Sequence, residues 1–134
     1  MQEAVGEASG MSTAILLPLS FAVVGTIHLM PVAPVFVPET LQRLYGIAPS
    51  DTTLLVLLRH RALLLALVGI LCLWATWWSP VRPAALLAAA INIFGFFAFY
   101  GLYGGPAGAL RVIAIGDLVA LPFAACAAWA TLAR

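Results

Sequence analysis

The chain contains no lysine, and charged residues of every kind make up only 8% of its 134 positions. Water-soluble domains carry roughly a quarter charged residues, so there is too little polar surface here to coat a soluble globule. The six basic residues are all arginines, scattered at Arg43, Arg59, Arg61, Arg82, Arg111 and Arg134. With no basic run and a net charge of +1, no nucleic-acid partner is implied. Cysteine is scarce too. Cys72 and Cys126 stand alone in apolar runs, without the C-x-x-C spacing of a redox dithiol or zinc knuckle, and read as buried inert thiols. The segment Met1 to Gly10 carries Glu3 and Glu7 where a secretory signal would be basic, so the first apolar run reads as a retained helix. No internal repeat at solenoid period is visible, and nothing alternates like a barrel strand.

What is present is hydrophobic length. The chain is 64% hydrophobic with a mean hydropathy of +1.11, and crossing a bilayer core takes about 20 apolar helical residues. Four runs meet that requirement, at 13–30, 52–78, 84–103 and 110–132. They predict an all-α fold: a single integral membrane four-helix bundle, multi-pass and with both termini on one side of a bacterial-type inner membrane. Pro31, Pro34 and Pro38 close the first span. The stretch Pro34 to Thr53, which includes Gly46 and Pro49, reads as an interfacial loop with a short amphipathic helix at Pro38 to Tyr45. Ser50 is the expected N-cap of the second helix, and Trp74, Trp77 and Trp78 form an aromatic belt at its far end. A tight turn without structure of its own is expected from Ser79 to Pro83, and Asp117 and Pro122 are expected to interrupt the fourth helix. Gly116, Ala120, Ala124 and Ala128 recur every fourth residue and predict a smooth packing ridge. Ala84, Ala85, Ala88, Ala89, Gly101 and Gly105 suggest a similar surface on the third helix.

The polar residues are placed unevenly. Alternating spans give one face with both termini and the Pro80 turn, and a loop face with the Pro34 to Thr53 stretch and the Gly104 loop. His28 ends the first helix at the loop face. Arg59, His60 and Arg61 lie about two turns inside it on the second, ~10 Å deep at 1.5 Å per residue. Tyr100 and Tyr103 end the third helix there, Arg111 and Asp117 open the fourth, and Glu39 lies in the overlying loop. Asn92 sits deeper, near mid-span. An ionised side chain in the hydrocarbon core costs about 2.5–3.5 kcal/mol on insertion scales and faces the bundle interior or pairs. Asp117 is too short to snorkel, and Arg59 or Arg61 is its natural partner. These two arginines point about 200° apart on a helix, so only one of them faces inward. Such a pair reads equally as a device that fixes helix register or as part of a polar site. His28, His60 and Glu39 come from separate segments without ligand spacing, so no metal site is expected.

His28, Pro38-Glu39, Leu44-Tyr45-Gly46 and Leu58-Arg59-His60-Arg61-Ala62, followed by Asp117, resemble a group of short bacterial four-helix membrane proteins related in layout to the DoxX-like superfamily. Some DoxX-like proteins are associated with quinone-linked sulfur oxidation or membrane redox complexes, which implies a hydrophobic redox partner. None of these motifs is a catalytic signature, so the resemblance assigns no catalytic residue and no cofactor. Sequences of this look are also labelled phosphopantetheine adenylyltransferase, but His28 is followed by Leu29-Met30-Pro31 rather than by an H-x-G-H-type phosphate motif.

The expected function is that of an accessory or ligand-binding subunit. Its partners would be the bilayer, a quinone or lipid head group, and a second copy or membrane-complex subunit. An alternative is a membrane enzyme acting on a quinone, isoprenoid or lipid, with Asp117 or His60 as acid/base and Arg59 or Arg61 holding an oxygen. A transporter ranks last, because the polar residues stop half-way through the spans. The loop face carries Arg43, Arg59, Arg61 and Arg111 against Arg82 and Arg134 on the other, so the positive-inside rule favours a cytoplasmic loop face; with the buried arginines set aside the count is Arg43 against Arg82 and Arg134, which favours the reverse. Reporter fusions at the N- and C-termini are expected to give the same signal, and opposite signals would refute an even number of spans.

Overall fold

The computed structural model describes residues 2–33, 37–45 and 50–133, which are helical almost throughout and contain no strand. Helix α1 spans Gln2–Leu29 and runs into a 3-10 turn at Met30–Val32. Helix α2 is the short segment Pro38–Tyr45, α3 is Thr52–Ala75, α4 is Arg82–Leu102 and α5 is Ala109–Leu132. Four stretches are long and apolar enough to cross a membrane: Ala14–Val32, Thr52–Ala75, Ser79–Leu102 and Ala109–Leu132. The expected interfacial helix is present as α2. Its flanking residues Pro34, Gly46 and Pro49 lie outside the described residues.

Local chemistry sets the helix ends, and several differ from expectation. Asp51, not Ser50, caps α3: its Oδ1 accepts the Leu54 N–H at 3.0 Å, adding negative charge at the positive end of the helix. The same helix stops at Ala75, short of Trp78, because its last carbonyls find other donors. The Thr76 hydroxyl donates to the Leu73 carbonyl at 2.6 Å and Arg82 Nε donates to the Ala75 carbonyl at 3.0 Å. Trp78 is extended, and its ring stacks on Trp74 at 4.6 Å between centroids. The turn after it is not structureless: Ser79–Val81 is one 3-10 turn feeding directly into α4. Pro80 and Pro83 sit in opening turns, where a missing N–H leaves no ladder bond unmade. Neither Asp117 nor Pro122 interrupts α5, which is continuous across both. A proline deletes one hydrogen bond of the ladder, and the bonds on either side persist. At the far end of α4, Gly104 and Gly105 adopt φ of +77° and +62°, a left-handed turn open to glycine at little cost.

The four long helices form a closed square. Helix α1 packs on α3 and α5, and each of these packs on α4. The tightest point joins α1 to α3 at two facing glycines. A Cβ placed on Gly25 would lie 2.8 Å from the Gly69 carbonyl oxygen, and one on Gly69 would lie 2.9 Å from that of Gly25. Leu29 and Leu73, each one turn beyond a glycine, cover the opposite one. Two backbones therefore touch with no side chain between them.

The interior is built of small residues. Buried positions on α3 are Ala62, Gly69, Cys72 and Ala75, and on α5 they are Ala114, Asp117, Ala120, Ala127 and Ala130. Larger buried groups come from Leu17, Phe21 and Val24 of α1 and Ile93 of α4, while Leu64, Leu67, Ile70, Leu87, Ile91, Leu118 and Trp129 face outward. Of the expected Gly116, Ala120, Ala124, Ala128 ridge, Ala120 is fully buried and the other three are half-buried, Ala124 against the core and Gly116 facing Ile27. On α4, Ala85, Ala89 and Ile93 are buried, but Gly101 and Gly105 are exposed. Cys72 is buried and Cys126 half-buried, and both are free thiols.

Gly25→Ala and Gly69→Ala are each expected to destabilise the detergent-solubilised protein by about 1–3 kcal/mol, because the new Cβ meets backbone that cannot turn aside. Gly101→Ala, with nothing within 4 Å of its added Cβ, should stay within about 0.5 kcal/mol. Thermal unfolding of the three variants separates a packing constraint from a general glycine effect.

Candidate functional site

The glycine crossing controls what lies on its loop side. His28 follows Gly25 by three residues and is therefore turned into the bundle, with only 2% of its surface exposed. Its Nδ1 lies 2.8 Å from the Val24 carbonyl. A carbonyl oxygen only accepts, so Nδ1 carries a proton and donates it. The other ring nitrogen, Nε2, is buried with no hydrogen-bond partner among the described residues.

Asp117 comes to the same level from α5. Its neighbour Gly116 meets Ile27 of α1 at ordinary van der Waals distance, 3.9 Å from an added Cβ, which sets Asp117 beside the His28 turn. Asp117 is buried, and Arg61 of α3 is half-buried. Arg59 is half-buried, with its Nε buried and without a hydrogen-bond partner among the described residues. His28, Arg61 and Asp117 belong to three helices and gather at one end of the bundle, two to three turns in from the loop-side ends of α3 and α5.

Arg61 has a second aspect. Its guanidinium carbon sits 5.7 Å from the centroid of Phe96 on α4, a cation–π contact. From there a groove of about 720 Å³ opens between α3 and α4, lined by Arg61, Leu64, Val68, Asn92, Phe96 and Tyr100 among others. Ile91, Phe99 and Tyr103 complete its outer wall, and Leu110 of α5 closes one end. Phe96 stacks on Tyr100 with centroids 5.5 Å apart, and the Tyr100 hydroxyl donates to the Pro106 carbonyl at 3.1 Å. The groove is apolar along its length and polar where Arg61, Asn92 and Tyr100 border it.

Six of the nine residues singled out from the sequence are therefore half-buried or buried at this end: His28, Arg59, Arg61, Asn92, Tyr100 and Asp117. The remaining three, Glu39, His60 and Arg111, are exposed. Glu39 does not fold over the cluster. Its helix α2 lies against α5 and buries Leu41, which turns Glu39 and Arg43 outward. His60 is one residue from Arg61, and the 100° step between neighbours on a helix carries it off the inner face. Sequence reasoning overlooked Phe96 and the groove it floors. The signal was available: Asn92, Phe96, Tyr100 and Tyr103 follow the spacing of one helix face on α4. Among the described residues no group of three or more His, Cys, Asp or Glu side chains gathers as a metal site.

No protein-family model, no curated protein and no solved structure matches the chain.

Removing one member of the buried charge set strands the other. Asp117→Asn and Arg61→Gln are each expected to lower the unfolding midpoint, and the double variant should lose less than the sum. The coupling expected from the cycle is about 0.5–3 kcal/mol. Glu39→Gln and Arg111→Gln, both exposed, should change stability by less than about 0.5 kcal/mol. Strict additivity of the Asp117 and Arg61 changes would show that the two groups do not interact.

Proposed function

We propose that this chain is a multi-pass integral membrane protein of the bacterial inner membrane. As an accessory subunit it binds an amphipathic ligand in the groove between α3 and α4. Membrane insertion is supported by the inverted distribution of side chains. Alanine and glycine fill the interior while leucine, isoleucine, phenylalanine and tryptophan face out. In water that arrangement wastes apolar burial. In lipid, where outward apolar groups cost nothing, helices associate through close backbone packing of small residues. The layout shared with DoxX-like proteins supports the same setting.

The observation that carries ligand binding is the groove itself. At about 720 Å³ it falls within the ~300–1,000 Å³ typical of small-molecule sites. It offers an apolar wall for a chain or ring, with the Arg61 guanidinium and the Tyr100 ring toward the loop end for a polar head and the Asn92 amide nearer mid-span. A quinone, an isoprenoid or a lipid has that two-part character. A second reading, an enzyme acting on the same ligand, is favoured by two buried polar side chains at this end of the bundle, His28 with its free Nε2 and Asp117, as candidate acid/base groups.

Native mass spectrometry of protein purified in a mild detergent tests the binding reading. The wild type is expected to retain a defined amphipathic species, and folded Arg61→Ala and Gly95→Leu variants are expected to lose it. Retention unchanged in both variants would refute the groove as the site. Turnover of the captured species, lost in Asp117→Asn with binding kept, would establish the enzyme reading.

A further inference from the structure

Asn92 is the middle residue of α4, ten positions from Arg82 at one end and ten from Leu102 at the other. At 1.5 Å per residue it stands about 15 Å from either end, half the ~30 Å thickness of a bilayer core. Its side chain is half-buried and lines the groove between α3 and α4. Among the described residues its carboxamide makes no hydrogen bond. The lining around it, Leu65, Val68, Ala88 and Ile91, carries only hydrocarbon. Thr26, exposed on α1, is by contrast satisfied, its hydroxyl donating to the Ala22 carbonyl at 2.8 Å.

A bilayer core offers no water, and acyl chains neither donate nor accept, so a polar group left there without a partner is strongly disfavoured. The ligand proposed for the groove does not supply one. Its polar head belongs with Arg61 and Tyr100, and its apolar chain is the part that would pass Asn92. The partner must come from another protein surface.

We propose that the mid-span part of this groove is an interface between two copies of the chain, with the two Asn92 carboxamides hydrogen-bonded to each other on a two-fold axis. This rests on the reading of the long helices as membrane spans, since in water the amide would need no partner. A carboxamide carries donors and an acceptor on one short side chain. Two of them facing across an axis form two reciprocal N–H···O bonds, the self-complementarity that an isologous dimer requires. The guanidinium of Arg61, which only donates, finds no such match in its own copy.

The surroundings allow the approach. Ala88, one turn before Asn92, and Gly95, one turn after, share its face of α4. Nothing lies within 4 Å of a Cβ added to Gly95, so a second helix meets small residues on both sides of the amide. Close contacts of this kind cross at about 40°, so the two helices part again beyond about two turns. The loop-end part of the groove, at Arg61, Phe96 and Tyr100, therefore stays open to the ligand.

Single-molecule photobleaching of labelled protein in liposomes, at increasing dilution in lipid, counts the copies. Wild type is expected to form dimers that dissociate on dilution. Asn92→Leu should raise the dissociation constant by about tenfold without lowering the unfolding midpoint, and Asn92→Gln, which keeps the carboxamide, should retain most of the dimer. In a Cys72→Ala, Cys126→Ala background, Ala88→Cys should cross-link to its own copy in membranes, while Leu118→Cys, exposed on α5, should not. Monomers at every dilution, in protein that resists alkaline carbonate, would overturn the interface and leave the membrane reading intact. A dimer indifferent to Asn92→Leu would overturn the role of the amide. A lowered unfolding midpoint in Asn92→Leu would assign the amide to its own bundle and overturn the proposal too. Protein washed from membranes by carbonate would remove the membrane reading, and this inference with it.

Discussion

The meeting of Gly25 and Gly69 is the contact on which the rest of the molecule depends. Each carbonyl occupies the space that a Cβ on the opposite glycine would need, so the separation of α1 and α3 is set by backbone rather than by interlocking side chains. That proximity has consequences along both helices. It fixes which side of α1 faces inward and so buries His28 one turn later. It also holds the inner face of α3 close enough for Arg61, about two turns toward the loop end, to share the interior with Asp117 of α5. Widening the crossing by one methyl group would therefore act on the charged set as well as on packing.

The small-residue interior explains why a charged set is tolerated at all. Helices lined by Ala62, Ala75, Ala85, Ala89, Ala120 and Ala127 approach closely and leave little void, so the polar groups at one end are surrounded by backbone and by one another. His28 uses a carbonyl of its own helix to hold its ring, and Arg61 uses the face of Phe96 where another protein would use a second carboxylate. Among the described residues, the opposite end carries no such set. There Arg82 is spent on the last carbonyl of α3, and Trp74 and Trp78 stack at the rim.

Much of this was legible before the structure was in hand. Four long apolar runs, the short helix at Pro38–Tyr45 and the gathering of polar residues toward the loop end all follow from local composition. Helix ends were less legible, because they turn on which donor reaches an orphan carbonyl. Arg82 bonding Ala75 across seven residues is not visible in a hydropathy pattern. On α5 the every-fourth row of small residues was legible, but which of them are fully buried depends on the neighbouring helices: Ala120 is, while Gly116, Ala124 and Ala128 are half-buried.

The sequence by itself determined the helical class, the number of long apolar segments and the end at which charge collects, since these depend on residue type and on rise per residue alone. Tertiary structure alone decided which charges meet. Arg59, Arg61 and His60 are neighbours in the chain and nearly equal in depth, yet Arg61 lies over Phe96 beside the groove, while His60 is exposed. Azimuth makes the choice, and azimuth is set where Gly25 and Gly69 let two backbones touch. It likewise took the packing of α3 against α4 to bring Arg61 to Phe96 and open a groove beside them. A groove exists only between elements, and neither helix carries it alone.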